Sequence, residues 1–186
     1  CIYGDSGVGK TTLIDILIGL QSPHEGEFYL DNKLVNQRTL RGKIFGYVPQ
    51  NIYLFDDTIK NNILIKNDIK ISDDHYNKVL RQCDLSEFIN SLPDKDKTFI
   101  GENGAQISGG QRQRIGLARA LANDAKILIL DEATNALDKK TETNIFETLK
   151  KISLEKSILI ITHNQNLLNY CNKVYYLEQG KLKQEK

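Results

Sequence analysis

The stretch GDSGVGKTTL, residues 4–13, combines a glycine-rich loop with the beginning of a helical pattern. Gly4, Gly9, Lys10 and Thr11 fit the spacing G-x-x-x-x-G-K-T, in which glycines allow the backbone to turn its N–H groups towards an anion. Apolar residues at helical spacing predict a helix over residues 10–20, and the positive end of its dipole faces the same loop. The stretch therefore predicts a phosphate-binding loop, or P-loop. The simpler alternative is a turn that only joins a strand to a helix.

Two side chains of this loop have the chemistry that a nucleoside triphosphate and its metal require. Lys10 supplies a positive charge for the β- and γ-phosphates, and the Thr11 hydroxyl is a candidate ligand for Mg²⁺. The backbone N–H groups of the loop face the same phosphates. The candidate nucleotide-binding residues of the loop are Gly4, Asp5, Ser6, Gly7, Val8, Gly9, Lys10, Thr11 and Thr12.

A second stretch, ILILDEAT at residues 127–134, supplies carboxylates for a metal and for a water molecule. Its four apolar residues predict a buried strand, and ligands of parallel sheets bind at the carboxyl ends of strands. Asp131 is the predicted Mg²⁺ ligand, and Glu132 is the predicted general base that polarises the attacking water. An isolated Asp-Glu pair would be read as a solvated loop, but this chain also carries a P-loop.

Size and composition fit a single globular domain. The chain has 186 residues and a formal net charge of +1, so its overall charge does not indicate nucleic-acid binding. Cys1, Cys83 and Cys171 are widely separated and odd in number, which favours free thiols over a disulfide framework or a zinc site. The longest apolar runs are far shorter than the ~18 residues that span a bilayer. A role at a membrane therefore requires a partner or a further segment.

Short apolar runs alternate with helical patterns, which predicts an α/β fold with strand–helix units around a largely parallel sheet. The pattern changes to helices after residue 58, where Ser72 caps one helix and Pro93 follows another. We therefore predict one domain, residues 1–186, with an α-helical subdomain inserted at residues 53–122. The predicted strands are residues 26–30, 43–48, 126–130, 157–162 and 173–177, and the predicted helices include residues 10–20, 85–92, 110–122, 139–151 and 165–170.

Between the two candidate sites lies ISGGQRQRIGLARAL, residues 107–121, in which Ser108 and two glycines precede a helix. Such a helix start is a further candidate anion site, although a plain helix cap is a sufficient explanation for Ser108. The SGGQ sequence followed by QRQR resembles the signature motif of the ATP-binding cassette (ABC) family. Further motifs follow the order expected for that family, so the resemblance extends from Gly4 to His163.

Three more residues become candidates through this resemblance. YVPQ ends at Gln50 and resembles the Q-loop, NALD ends at Asp138 and resembles the D-loop, and ITHN carries His163, which resembles the switch histidine. The resemblance implies that Gln50 senses the γ-phosphate and metal, that Asp138 contacts the dimer partner, and that His163 stabilises the transferred phosphoryl group. The structural alternatives are a polar strand end for Gln50, a helix cap for Asp138 and a core histidine for His163.

Similarity to this family implies a P-loop NTPase that binds ATP with Mg²⁺ and hydrolyses it within a head-to-tail dimer. Each ATP would lie between the P-loop of one cassette and the signature residues of the other, which are Ser108, Gly109, Gly110 and Gln111. The implied catalytic residues are Glu132, His163 and Gln50. The implied metal ligands are Thr11, Gln50 and Asp131.

The branch of the family is indicated by NIYLFDDTIKNNI, residues 51–63, which resembles the segment after the Q-loop in exporters. Residues 98–104 resemble the exporter sequence that precedes the signature motif. The resemblance therefore favours a bacterial half-transporter that exports peptides or flips lipid-linked saccharides, with this domain on the cytoplasmic face of the inner membrane. The implied partners are a second cassette, identical or different, and a transmembrane domain.

Only three residues precede the P-loop, whereas ABC domains have a further strand and an adenine-stacking aromatic residue upstream. We therefore expect the chain to be the C-terminal part of a longer protein with a transmembrane domain fused upstream. The alternative function is a non-transport ABC ATPase that acts on nucleic acid or ribosomes. A third possibility is that the fragment by itself is inactive, which a phosphate-release assay would decide.

Overall fold

The computed structural model describes residues 1–36, 44–65, 71–133 and 139–186. A six-stranded sheet forms its centre, and a two-stranded hairpin lies apart from it. The strands are β1 (Ile2–Tyr3), β2 (Tyr29–Leu30), β3 (Lys33–Leu34), β4 (Phe45–Val48), β5 (Ile127–Asp131), β6 (Ser157–Thr162), β7 (Tyr175–Glu178) and β8 (Lys181–Gln184). The helices are α1 (Lys10–Leu17), α2 (Ile59–Leu64), α3 (Asp73–Gln82), α4 (Ser86–Ser91), α5 (Gly109–Ala122) and α6 (Lys139–Ile152).

The main sheet has the strand order β4-β5-β6-β1-β7-β8. Its first five strands are mutually parallel, and only β8 runs antiparallel to its neighbour β7. This topology confirms the predicted α/β class with a largely parallel sheet. Because the carboxyl ends of β1, β5 and β6 meet at one edge, the P-loop, Glu132 and His163 are brought to the same place.

Both faces of the sheet are covered, as expected for parallel strands. Leu128 and Leu130 of β5 belong to the larger apolar cluster, whereas Ile129 belongs to the cluster that contains Ile14 of α1. The alternation follows from the two-residue period of a strand. The apolar run at residues 127–130 is therefore explained by burial on both sides.

Three helices, α2, α3 and α4, lie between β4 and α5 in the chain. The N-cap hydroxyls of Thr58 and Ser72 accept hydrogen bonds from the N–H groups of Asn61 and His75 at the starts of α2 and α3. Buried residues of these helices, such as Ile59 and Val79, share one apolar cluster with β5. The helices are therefore packed onto the α/β core through a continuous interior.

Several element boundaries differ from the sequence-based expectation. The first helix ends at Leu17 rather than at residue 20, because the chain turns back and the Leu20 N–H donates to the Asp15 carbonyl at 2.7 Å. Residues 165–170 form a 3₁₀ helix rather than an α-helix. The sequence did not predict β3 or β8, whose residues are exposed and lack a strong apolar alternation.

Further differences are small. The predicted strand at residues 26–30 is reduced to β2, and the predicted helices at 85–92 and 110–122 correspond to α4 and α5. Two 3₁₀ turns, Lys95–Lys97 and Glu102–Gly104, lie between α4 and α5. Residue 43, predicted to begin a strand, lies outside the described residues, and β4 begins at Phe45. Within the described ranges, no helix has the length and apolar character required to cross a membrane.

Candidate active site

The P-loop follows directly from β1 and leads into α1. Gly7 and Gly9 have φ angles of +79° and +102°, values that favour glycine because other residues carry a Cβ atom. The N-cap of α1 is Gly9, which has no side chain that could accept hydrogen bonds from the first N–H groups of the helix. The first turn of α1 also contains no acidic residue. The unpaired N–H groups and the helix dipole therefore favour an external anion at this position.

The side chain of Lys10, the first residue of α1, folds back into the P-loop. Its side chain is buried, and Nζ donates hydrogen bonds of 2.8 Å to the carbonyl oxygens of both Gly4 and Asp5. Nζ also lies 3.8 Å from Oε1 of Glu132. The loop thus holds a positive charge at its centre, where it faces the carboxylate at the end of β5.

Asp131 is the last residue of β5 and is buried. Its Oδ2 lies 3.1 Å from the hydroxyl of Tyr47 and 3.5 Å from Oγ1 of Thr11. Burial raises the pKa of Asp131 above the ordinary value of a carboxyl group, and the hydrogen bond from Tyr47 opposes this rise. A hydroxyl and a carboxylate oxygen are thereby placed side by side at the start of α1.

Glu132 is the point on which the predicted catalytic residues converge. Its Oε2 lies 3.3 Å from Nε2 of Gln50 and 3.4 Å from Nδ1 of His163. The backbone of Glu132 has φ +48°, an unusual value for a non-glycine residue, while its N–H donates to the Ile161 carbonyl at 2.9 Å. Strained backbone of this kind is concentrated at functional sites, where the surrounding structure holds it in place.

A cleft of about 530 Å³ opens beside the loop. Glu132 and His163 form one wall, and Tyr3 and Tyr176, with ring centroids 4.9 Å apart, form another. Tyr176 and Tyr47 were not predicted to be site residues. Tyr176 lies outside the predicted motifs, and Tyr47 is the first residue of YVPQ, in which only Gln50 was a candidate. Each tyrosine reaches the site through the pairing of its strand with β1 or β5.

The signature residues lie elsewhere in the chain. Ser108 and Gln111 form a capping box: the Ser108 hydroxyl accepts from the Gln111 N–H at 3.2 Å, and the Ser108 N–H donates to Gln111 Oε1 at 2.8 Å. In the described part of the chain, the residues lining the P-loop cleft include none from 108–111. Asp138, predicted to contact the dimer partner, lies outside the described residues.

The remaining predicted loop residues are Asp5, Ser6, Val8 and Thr12, and their roles stay predictions. Asp5 and Ser6 are exposed and line the cleft, Val8 packs against the apolar cluster beneath α1, and Thr12 is exposed on the first turn of α1. The donor set of Thr11, Asp131 and Gln50 consists of oxygen ligands, which fits Mg²⁺ rather than a softer metal. Among the described residues, no group of three His, Cys, Asp or Glu side chains forms a metal cage.

The sequence resembles one family over most of its length. A family model described as ABC transporter matches residues 1–135. The chain is 38% identical over 181 residues to the ATP-dependent lipid A-core flippase of Francisella novicida, which covers 96% of this chain and 30% of that protein. It is 37% identical over 183 residues to the ATP-dependent lipid A-core flippase of Aliivibrio fischeri, with 97% and 31% covered. The chain therefore spans about a third or less of these relatives.

A solved structure shows the same fold. The structure of a bacterial Atm1-family ABC exporter with ATP bound superposes with a TM-score of 0.86 and 34% sequence identity. The match covers 100% of this chain and 33% of that protein. The two flippases thus match 96–97% of this chain, and the solved structure matches all of it.

Proposed function

The chain belongs to the ABC transporter family, and from this membership we propose that it is the nucleotide-binding domain that hydrolyses ATP for a bacterial exporter. The observation that carries the proposal is the convergence of Lys10, Gln50 and His163 on the carboxylate of Glu132. A P-loop lysine beside a carboxylate that contacts a glutamine and a histidine is suited to phosphoryl transfer to water.

The triphosphate of ATP binds to residues 4–12 in this proposal. Lys10 exchanges its bonds with the Gly4 and Asp5 carbonyls for bonds with phosphate oxygens, and the first-turn N–H groups of α1 donate to the same anion. Thr11, Asp131 and Gln50 would hold Mg²⁺. When bound, the metal ion would neutralise charge on the phosphate oxygens.

Hydrolysis requires a group that orients and deprotonates a water molecule. Glu132 is in place for this role because its carboxylate borders the cleft beside the P-loop. Gln50 and His163 contact the same carboxylate oxygen, which supports the proposal that both act beside the water and the γ-phosphate. His163 would donate a hydrogen bond to the transferring phosphoryl group, which stabilises its charge in the transition state.

A second cassette completes the site. The start of α5 is a capped helix N-terminus that its own P-loop cleft does not include, so its residues 108–111 are available to the ATP of a partner. Asp138 is proposed to contact that partner. The single domain, residues 1–186, would thus work as half of a head-to-tail dimer.

Transport requires a membrane-spanning partner, and this chain covers only 30–31% of the length of the flippases that it matches. The relatives are named lipid A-core flippases, and the solved structure is an exporter. These names favour transport over the nucleic-acid or ribosome alternative. We propose that the helical subdomain at residues 53–122 contacts the membrane-spanning part and that this domain lies at the cytoplasmic face of the membrane.

The test uses the full-length protein in vesicles of phosphatidylethanolamine and phosphatidylglycerol. We expect Mg²⁺-dependent phosphate release from ATP, and loss of ATP binding in Lys10→Met. Lys181→Met, on the exposed strand β8, is the matched control. Phosphate release by Lys10→Met at the wild-type rate would overturn the proposal. Stimulation by ribosomes instead of lipid would favour the non-transport alternative.

A further inference from the structure

Residues 50–55, which we call the linking segment, run from the carboxyl end of β4 towards α2. At one end, Gln50 Nε2 lies 3.3 Å from the Glu132 carboxylate. At the other end, Tyr53 and Phe55 expose 59% and 47% of their surface, with rings packed edge to face at 5.3 Å. The linking segment therefore joins the proposed general base to an exposed aromatic pair.

Asn62 of α2 fixes the exposed end of the linking segment. Its side chain is fully buried. Oδ1 accepts a hydrogen bond from the Phe55 N–H at 2.8 Å, and Nδ2 donates to the carbonyls of Phe55 at 3.0 Å and Thr58 at 3.1 Å. Because one side-chain amide satisfies both backbone groups of Phe55, it sets the direction of the chain at that residue.

Arg119 ties the same place to α5. Its Nε donates to the Asn62 carbonyl at 2.9 Å, Nη1 to the Tyr53 carbonyl at 2.9 Å, and Nη2 to Asn62 Oδ1 at 3.3 Å. The planar guanidinium therefore holds α2 and the linking segment simultaneously. All three acceptors are uncharged oxygens, and burial lowers the pKa of Arg119. The partly buried guanidinium of Arg119 therefore orders the linking segment through hydrogen bonds to uncharged oxygens.

A further contact seats the middle of the linking segment on α5. Ile52 is buried, and a Cβ atom at Gly116 would lie 2.4 Å from Ile52 Cδ1. Gly116 is therefore required for Ile52 to pack this closely against the helix. By contrast, the Tyr53 and Phe55 rings remain exposed, so the need to fill the core does not account for holding their backbone in place.

The two ends of α5 have different surroundings. Its N-cap is Ser108, and Arg119 lies eleven residues further along, a rise of about 16 Å. A helix of this length moves as a rigid element, so a displacement at Ser108 displaces Arg119 and its hydrogen-bonded neighbours as well.

We propose that Asn62 and Arg119 form a positioning clamp that makes the Tyr53–Phe55 pair move with α5, so that nucleotide at the start of α5 changes the surface at its other end. The clamp rests on the proposed function, in which the ATP of a second cassette contacts Ser108 and the membrane-spanning part contacts the subdomain at residues 53–122, to which the aromatic pair belongs. Asn62 and Arg119 touch no reacting atom in this scheme, and they act by positioning.

Hydrogen exchange on the full-length protein in lipid nanodiscs tests the clamp. Exchange is followed in peptides covering residues 51–58, without nucleotide and with Mg²⁺ and the non-hydrolysable analogue AMP-PNP. We expect the nucleotide to slow exchange in the wild type by about fivefold or more. In Arg119→Met this nucleotide-dependent change should disappear, while AMP-PNP affinity and basal ATP hydrolysis stay near wild type.

Arg81→Met, an exposed arginine on α3, is the matched control and should keep the full response. If Arg119→Met fails to fold, Arg119→Lys decides, because lysine keeps the charge but lacks the fork that binds three oxygens. In the lysine variant, the logarithm of the factor by which nucleotide slows hydrogen exchange at residues 51–58 should be at most half of its wild-type value.

Two failures are distinguishable. A wild-type protein that does not bind Mg²⁺ and AMP-PNP would contradict the proposed function. A wild type that binds the analogue but shows no response at residues 51–58, or an arginine variant that keeps the full response, would overturn the clamp and leave the proposed function intact. A merely structural role of Arg119 would change the melting temperature without removing the nucleotide dependence.

Discussion

The phenolic hydroxyl of Tyr47 lies 3.1 Å from Oδ2 of Asp131 and links β4 to the carboxyl end of β5. Burial and the nearby Asp131 raise the pKa of Tyr47, so the hydroxyl keeps its proton at neutral pH and is the donor in this bond. The same carboxylate oxygen lies 3.5 Å from Oγ1 of Thr11. Tyr47 is therefore in place to orient the carboxylate that we propose as the metal ligand.

Replacing Tyr47 with phenylalanine removes only this hydroxyl and keeps the ring. We expect the Mg²⁺ concentration needed for half-maximal nucleotide affinity to rise about tenfold, as is common when a partner of a metal ligand is lost. The measurement is a Mg²⁺ titration of the binding of a fluorescent ATP analogue. Tyr29→Phe, on the separate hairpin, is the matched control. An unchanged Mg²⁺ requirement in Tyr47→Phe would show that Asp131 is oriented without Tyr47.

Replacing Glu132 with glutamine tests the proposed general base. The amide keeps the shape that Gln50 and His163 contact, but it does not accept a proton from water. We expect phosphate release to fall by about 100-fold or more, with Mg-ATP binding retained and the dimer stabilised. Single-turnover phosphate release and equilibrium binding separate the two effects. The exposed Glu87→Gln variant should behave as wild type. Normal turnover in Glu132→Gln would remove Glu132 from the base role.

The local chemistry of this site was predictable, whereas its assembly was not. Lys10 and Glu132 were identified from their neighbours in sequence, because a glycine-rich loop and an apolar run into two carboxylates are local patterns. The contact between Glu132 and His163 depends on β6 lying between β1 and β5, which no local pattern specifies. Tyr47 was missed for the same reason, since its bond to Asp131 exists only because β4 pairs with β5.

Elements with weak apolar patterns were also missed. Strand β8, with the sequence KLKQ, is exposed along its whole length and is held by antiparallel pairing with β7. Its conformation is set by the neighbouring strand and not by burial of its own side chains. By contrast, Ser108 was predicted as a helix cap from its local sequence, and its capping box agrees with that expectation.

Cys83 is expected to be alkylated much more slowly than Cys1 and Cys171. Cys83 is fully buried, and burial raises its pKa, whereas Cys1 and Cys171 are partly exposed. Because the thiolate is the reactive form, a raised pKa and burial both slow alkylation. At pH 8 we expect iodoacetamide to modify Cys1 and Cys171 and to spare Cys83 until urea unfolds the chain. Mass spectrometry of peptides measures this directly, and equal labelling of all three cysteines in the folded protein would contradict the packing of α3.

Gly9 and Gly110 are both glycines for which alanine is unfavourable, but for different physical reasons. At Gly9 the φ angle is +102°, and an added Cβ would meet nothing within 4 Å, so the cost is conformational. At Gly110 an added Cβ would lie 2.7 Å from Thr141 Cγ2, so the cost is steric. We expect Gly9→Ala to lower the free energy of unfolding by about 1–2 kcal/mol, and Gly110→Ala by about 1–3 kcal/mol.

The second substitution Thr141→Ser distinguishes these two causes. It removes the methyl group that an alanine at residue 110 would contact, so it should restore most of the stability lost in Gly110→Ala. The same substitution should leave the loss in Gly9→Ala unchanged, because distant sites contribute additively. Urea unfolding of the wild type, the three single variants and the two double variants, without nucleotide, provides the comparison. Absence of rescue at residue 110 would show that α5 and α6 do not pack as closely as the 2.7 Å contact requires.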